Sequence, residues 1–232
     1  MLHQKDLLKF FEIGKVFRRQ GEKITEGLHL AAVSFGNVLG KQWDLDPKKV
    51  DFFDMKADMI SVLGTICNLK LDFIKEETLG LHPGQSAVIY SGDTEIGIIG
   101  AIHPELLNRM AISGKVLFFE VNLDLLSPDG AKEYSPISRF PTVTRDISVV
   151  VDKSISAKLC LSAVEKLDLP NLKDLQLFDL YTGQGIDSDK KSFSISLIFQ
   201  SSSSTLTDVE VDKNMDVILE SLEKEVGAVL RD

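Results

Sequence analysis

The chain has 232 residues, 44% of them hydrophobic, and a formal net charge of −9 at pH 7. This composition can bury two modest cores, but it excludes a nucleic-acid binder whose affinity depends on net positive charge. The sequence has no apolar run of membrane-spanning length, and its first residues lack a signal-peptide core, so we expect no membrane partner.

Short apolar segments separated by turns run through the first half of the chain. Their patterns predict a helix at about 52–66 and strands at 10–17, 28–36, 85–90, 95–102 and 116–123. The helix is expected to turn five apolar side chains inward, namely Met55, Met59, Val62, Leu63 and Ile66. Together these elements predict an α+β arrangement dominated by an antiparallel sheet.

Two His-Pro pairs, at His82 and His103, invite a metal-binding or acid–base interpretation because Glu105 and Glu120 occur near them. Their spacing matches no compact ligand signature, so the stronger interpretation is that both histidines end strands or turns and bond to backbone groups. The sequence also lacks a Walker loop, a nucleophile elbow and a cysteine paired with a catalytic histidine. We therefore predict no metal and no catalytic residue in this chain.

Proline, glycine and charged residues interrupt the pattern at 126–136, which predicts a boundary between domains at 1–127 and 136–232. Cys67 and Cys160 lie on apolar helical stripes on opposite sides of that boundary. We therefore expect two buried free thiols and a reducing, cytoplasmic compartment.

The last hundred residues predict six elements in the order βαββαβ. The strands are expected at 146–152, 174–181, 192–200 and 228–231, and the helices at 156–167 and 207–226. Thr207 and Glu210 form a capping box at the start of the second helix, and Gly227 ends it. This order is that of a ferredoxin-like domain.

In that topology both helices cover one face of the antiparallel sheet and leave the other face open. Small polar side chains can hydrogen-bond to an unpaired base there and an aromatic ring can stack on it, although a solvated face is the commoner outcome. Alternation places on this open face Asp146, Ser148, Ser192, Ser194 and Ser196, with either Gln176 and Phe178 or Leu177 and Asp179.

Four motifs of the second domain resemble one known family. They are Ser138-Arg-Phe-Pro followed by Arg145-Asp-Ile-Ser, then Phe178-Asp-Leu-Tyr181-x-Gly183, Lys190-Lys-Ser192 and Thr205-Leu-Thr-Asp-x-Glu210. In this order they resemble the ferredoxin-fold anticodon-binding domain that ends the β subunit of bacterial phenylalanyl-tRNA synthetase. The resemblance runs through residues 136–232.

The first domain resembles the catalytic-like module of the same β subunit. The segments that carry this resemblance are 10–17, 28–36, 50–56, 81–87, 96–105 and 118–120. The resemblance implies a partial, class II synthetase-like antiparallel sheet that has lost the reaction, which belongs to a separate α subunit. Because the match covers only the C-terminal part of the β subunit, we expect a fragment truncated at its N-terminus.

The resemblance implies binding of the tRNA(Phe) anticodon stem-loop and support of the α subunit in an α2β2 heterotetramer. ATP and magnesium serve the whole enzyme, and no cofactor is expected in this fragment. Residues 136–232 contain 11 Lys and Arg against 16 Asp and Glu, a charge of −5, so phosphate contacts must come from a local basic rim. The candidate RNA-binding residues are Arg139, Arg145, Asp146, Ser148, Phe178, Lys190, Lys191, Ser192 and Ser194.

A second hypothesis is a small-molecule-binding regulatory module, since βαββαβ domains also bind amino acids between paired copies and fold alone does not separate the two functions. RNA binding requires an accessible open face rimmed by Arg139, Arg145 and Lys191. Regulatory binding requires that face, or a sheet edge, to be buried in a symmetric dimer.

Overall fold

The computed structural model describes residues 7–66, 70–126 and 136–231. The chain divides into two compact units, residues 1–133 and 134–232. The predicted linker 127–135 and Cys67 lie outside the described residues. Cys160 is free and buried, as predicted, and burial raises the pKa of its thiol. Within the described part of the chain, no helix is long and apolar enough to cross a membrane.

The described residues of the first unit form an antiparallel sheet of six strands in the order β1-β2-β6-β5-β4-β3. The strands are β1 (Leu7–Gln20), β2 (Lys23–Gly36), β3 (Leu71–Ile74), β4 (Leu81–Ser91), β5 (Thr94–Ile102) and β6 (Val116–Asn122). The helical segments are α1 (Phe52–Ile66), α2 (Pro104–Arg109) and a 3-10 turn at Leu123–Leu125.

Helix α1 packs on one face of this sheet and closes the first core. Asp51 caps it, because its carboxylate accepts the backbone N–H groups of Phe53 and Asp54 at 2.8 and 3.0 Å. Met55, Met59 and Leu63 are buried, as predicted. The prediction that Val62 and Ile66 also point inward is wrong, since they are 45% and 39% exposed. The three buried residues, spaced four apart, already fill the contact between the helix and the sheet.

The sequence analysis predicted strands β1 and β2 to be shorter than they are, and it missed two short elements. Each hairpin strand has 14 residues, and the turn places Gly21 at φ 63°. Polar residues near that turn, such as Arg18 and Thr25, hid the strand ends from a search for apolar runs. Strand β3, with four residues, and α2, with six, are too short to carry a periodic signal.

The second unit has the predicted βαββαβ order and is ferredoxin-like. Its sheet has the order β10-β7-β9-β8. The capping box of Thr207 and Glu210 is present, and Gly227 ends the second helix at φ 62°, as predicted. The elements are β7 (Val143–Asp152), α3 (Ala157–Glu165), β8 (Leu172–Tyr181), β9 (Lys190–Phe199), α4 (Asp208–Val226) and β10 (Val229–Leu230).

Candidate nucleic-acid interface

The two faces of the second sheet differ in what covers them. Helices α3 and α4 bury one face, whose side chains are Ile147, Val149, Val151, Phe193, Ile195, Leu197 and Phe199. Alternate residues of the same strands therefore point to the open face, among them Asp146, Ser148, Ser194 and Ser196. Their predicted placement on the open face is confirmed, and all four keep contact with solvent.

Strand register aligns these polar groups in two rows across the open face. Asp146 lies opposite Ser196, which lies opposite Gln176. In the next row Ser148 lies opposite Ser194, with their hydroxyl oxygens 2.9 Å apart, and Asp179 follows on β8. The face thus presents hydroxyls, an amide and carboxylates at neighbouring positions, which is the set needed to bond to base edges.

A β-bulge at Phe178 decides the open question about β8. Gln176 pairs with Ser196, but Asp179 pairs with Ser194, so the register shifts by one residue between them. Gln176 and Asp179 therefore share the open face, which neither predicted alternation allowed. Phe178 is the extra residue of the bulge and is 59% exposed, and its proposed role in stacking on RNA stays a prediction.

Ser192 requires a correction. Its register places it on the open face, between Val150 on β7 and Tyr181 on β8. The residue is only 1% exposed, and its hydroxyl is buried without a hydrogen-bond partner in the described structure. The prediction that Ser192 is accessible is therefore wrong, because larger side chains flank this small residue.

Two of the four predicted rim residues point to the helix-covered side of the sheet. Arg145 lies opposite Leu197, and its guanidinium contacts the Asp208 carboxylate at 2.7 Å. Lys191 is likewise directed inward by the register, and its Nζ donates to the Lys153 carbonyl oxygen at 2.8 Å. The predicted basic rim is therefore not formed by these two residues on the open face. Their contact with RNA stays a prediction.

The other two rim residues lie elsewhere on the unit. Lys190 is half-buried at the start of β9, and its Nζ lies 3.6 Å from an Asp187 carboxylate oxygen. Arg139 is exposed in the segment before β7. That segment is fixed by Ser138, whose hydroxyl donates to the Ser201 carbonyl oxygen at 2.8 Å.

Sequence reasoning missed a guanidinium that lies over an aromatic ring of the second unit. Arg231 follows β10, and its guanidinium carbon is 4.9 Å from the centre of the Tyr181 ring. The backbone N–H of Arg231 donates to the Ser148 carbonyl oxygen at 2.8 Å. The pairing of a two-residue strand with β7 brings Arg231 there, and so short a strand leaves little signal in the sequence.

The first unit contains a small polar cavity of about 120 Å³ on the sheet face that α1 leaves uncovered. His29 Nδ1 lies 2.6 Å from Glu120 Oε1, and Arg18 and Glu95 also line the cavity. Neither this pair nor the cavity was predicted, since the β2–β6 register joins residues 91 positions apart. Its lining contains no serine, threonine, cysteine or lysine.

The predicted backbone role of the two His-Pro histidines is confirmed. The His82 ring accepts the Gly84 backbone N–H at 3.0 Å, and the His103 ring accepts the Glu105 N–H at 3.3 Å and caps α2. Among the residues that the structure describes, no group of three metal-binding side chains occurs.

Comparison with known proteins gives matches to both units. Residues 2–123 match the family model of the phenylalanyl tRNA synthetase beta chain CLM domain, and residues 138–231 match the ferredoxin-fold anticodon binding domain. The phenylalanine–tRNA ligase beta subunits of Methylococcus capsulatus and Pseudomonas fluorescens are 35% and 38% identical to this chain over 99% and 98% of its length. The Francisella tularensis subunit is 36% identical over 94%. The chain spans 27–29% of the length of these relatives.

Proposed function

Since the chain belongs to the phenylalanyl-tRNA synthetase beta chain family, we propose that its second unit binds the anticodon stem-loop of tRNA(Phe) through the open face. The observation that carries the proposal is the pair of polar rows across that face. Ser148, Ser194 and Asp179 lie in one row, and Asp146 lies in the neighbouring row. No helix of the described unit packs on these side chains.

Unpaired loop bases suit this surface because their edges are free for hydrogen bonding. The Asp179 carboxylate accepts from base amino or imino groups, and the Ser194 hydroxyl donates or accepts. A charge of −5 on residues 136–232 opposes non-specific attraction to phosphates. In this proposal the open face therefore distinguishes one RNA base sequence from another, and other parts of the enzyme supply much of the affinity.

The first unit serves, in this proposal, as a non-catalytic support for the α subunit. Its polar cavity does not fit ATP: about 120 Å³ is too small for a nucleotide, and Glu95 and Glu120 would repel the phosphates that Arg18 alone would have to hold. We assign ATP, magnesium and the ligase reaction to the rest of a cytoplasmic α2β2 enzyme. We further propose that residues 1–127 and 136–232 are separate domains.

Binding of a labelled tRNA(Phe) anticodon stem-loop, compared with a stem-loop of equal length carrying another anticodon, tests the RNA proposal. We expect tighter binding of the tRNA(Phe) loop. Equal binding of both loops would contradict base recognition by the open face. Phenylalanine-dependent exchange of pyrophosphate with ATP, catalysed by this chain alone, would contradict the assignment of the first unit as a support.

A further inference from the structure

The polar cavity of the first unit is bounded by side chains of both charges. Its polar lining comes from three neighbouring strands and the outer strand beside them, and consists of Arg18, His29, Glu95, Glu120 and Asn122. Arg18 and Glu95 form no ion pair with any residue that the structure describes. The cavity therefore holds a positive and a negative charge that do not satisfy each other directly.

Gly27 on β2 leaves space beside two nitrogen atoms of the cavity lining. A Cβ at this position would lie 3.3 Å from both His29 Nε2 and Asn122 Nδ2. The backbone itself does not require glycine there, because Gly27 is not among the residues with a positive φ. The missing side chain therefore serves to keep both nitrogen atoms accessible.

Two hydrogen bonds in the cavity lining decide which atoms donate and which accept. His29 Nδ1 lies 2.6 Å from Glu120 Oε1, and Nδ1 carries the proton because a carboxylate only accepts. In the neutral ring, Nε2 is then an acceptor. Asn122 Oδ1 accepts the Asp124 backbone N–H at 3.0 Å, which leaves the Asn122 Nδ2 group as a donor.

These groups match a small molecule that carries an ammonium and a carboxylate. The three N–H donors of an ammonium suit His29 Nε2 and the carboxylates of Glu95 and Glu120. A ligand carboxylate suits the planar guanidinium of Arg18 and the amide of Asn122. The cavity volume of about 120 Å³ is that of about four waters in the liquid, which is close to the size of glycine.

We propose that this cavity binds the ammonium and carboxylate groups of a small free α-amino acid, such as glycine or alanine. The ligand carboxylate contacts Arg18, and the ammonium lies against Glu95 and the His29–Glu120 pair. This site lies in the first unit and goes beyond the proposed function. It requires neither RNA nor ATP, so its tests do not depend on the outcome of the stem-loop experiment.

Titration of the whole chain with glycine, followed by NMR, tests the site. We expect saturable shifts of the backbone amide signals of Gly97 and Asn122, which line the cavity, at millimolar glycine. Acetate and methylammonium each carry one half of the ligand and are expected to shift these signals much less at equal concentration. No saturable shift with glycine, or equal shifts with either half-ligand, would overturn the proposal.

Replacing Arg18 by glutamine tests the carboxylate contact. Glycine affinity is expected to fall about 10-fold in Arg18→Gln, because a hydrogen bond to a charged group is lost. Arg18 is exposed, so the fold should tolerate this change. Arg19→Gln is the matched control, since Arg19 points to the other face of β1 and its Nε donates to the Gly21 carbonyl oxygen. Equal loss in both variants would show a general charge effect and overturn the site.

Replacing Gly27 by alanine tests whether the space matters. The added methyl group meets only the ends of the His29 and Asn122 side chains, so the melting temperature should change little. Glycine binding is expected to be lost, because the methyl group covers both nitrogen atoms. Unchanged binding in Gly27→Ala would overturn the proposal. If Gly27→Ala melts much lower, the comparison of Arg18→Gln with Arg19→Gln decides.

Discussion

Each unit exposes part of its sheet, and the two exposed parts differ in chemistry. The β1–β2 hairpin of the first unit exposes large apolar side chains, including Phe10, Phe11, Phe17 and Ile24. The open face of the second unit presents Asp146 and a pair of bonded serines. Exposed apolar area costs about 25 cal/mol per Å² relative to burial, whereas polar groups are satisfied by water. The hairpin therefore suits a protein partner, and the open face suits water or RNA.

The free edge of the hairpin adds to this contrast. In the sheet formed by the described residues, strand β1 is an outer strand of 14 residues, and unpaired edges of that length invite association. An apolar groove of about 440 Å³ runs between β1 and α1, lined by Phe11, Ile13, Val62 and Ile66 among others. Under the proposed function, we expect the hairpin and the groove to contact the α subunit.

The largest effect is expected at the hairpin. Phe11→Ser removes a ring that is 75% exposed and lines the groove, so the fold should tolerate it. Affinity for the α subunit should fall by about 2 kcal/mol or more, the usual cost of losing an aromatic anchor. Calorimetric titration with the α subunit measures this. Val209→Ser removes an exposed apolar group from α4 and is the control. Equal loss in both variants would contradict a specific hairpin contact.

The next effect is expected on the open face. Asp179→Asn replaces a charged acceptor in the second polar row, so affinity for the tRNA(Phe) stem-loop should fall by about 1.5–3 kcal/mol. Asp168→Asn is a matched control, because Asp168 is exposed, carries the same charge and has a positive φ of 44° that asparagine tolerates. Stronger binding in both variants would show that carboxylates act here only by repelling RNA.

Strong local signals explain what the sequence predicted correctly in the second unit. The alternation of β7 and β9 and the capping box of α4 each depend on a few adjacent residues, and the structure has all three. The Phe178 bulge and the burial of Ser192 depend on which strands become neighbours. Arg231 reaches Tyr181 only because β10 pairs with β7, a contact that no local pattern records.

A smaller effect is expected from destabilising α4, which covers the sheet face opposite the open face. Thr207→Ala removes the N-cap of α4 and should lower the free energy of unfolding by about 1 kcal/mol. RNA affinity of the remaining folded protein should not change, because α4 packs on the opposite face. Urea unfolding and stem-loop binding on the same samples check this. Weaker stem-loop binding by fully folded Thr207→Ala protein would mean that the cap also influences the structure of the open face.

The same capping box makes stability depend on pH. The Thr207 backbone N–H and hydroxyl bond to the Glu210 carboxylate and lower its pKa. A lowered pKa adds stability above the unfolded-state value of glutamate, and this addition is lost as the pH falls through the folded-state value. Urea unfolding from neutral pH down to about pH 3 should show a shallower loss in Glu210→Gln. Glu223→Gln, exposed on the same helix, is the control.

The smallest effect is expected at Arg145 and decides which side of the sheet holds phosphates. Its ion pair with Asp208 is solvent-exposed, and such pairs contribute about 0.2–1 kcal/mol. Asp208 also lies in the first turn of α4, where the helix dipole favours its charge after the partner is lost. Arg145→Gln should therefore lower the melting temperature slightly and leave the salt dependence of stem-loop binding unchanged. A flatter salt slope with an unchanged melting temperature would make Arg145 a phosphate contact and extend the RNA surface beyond the open face.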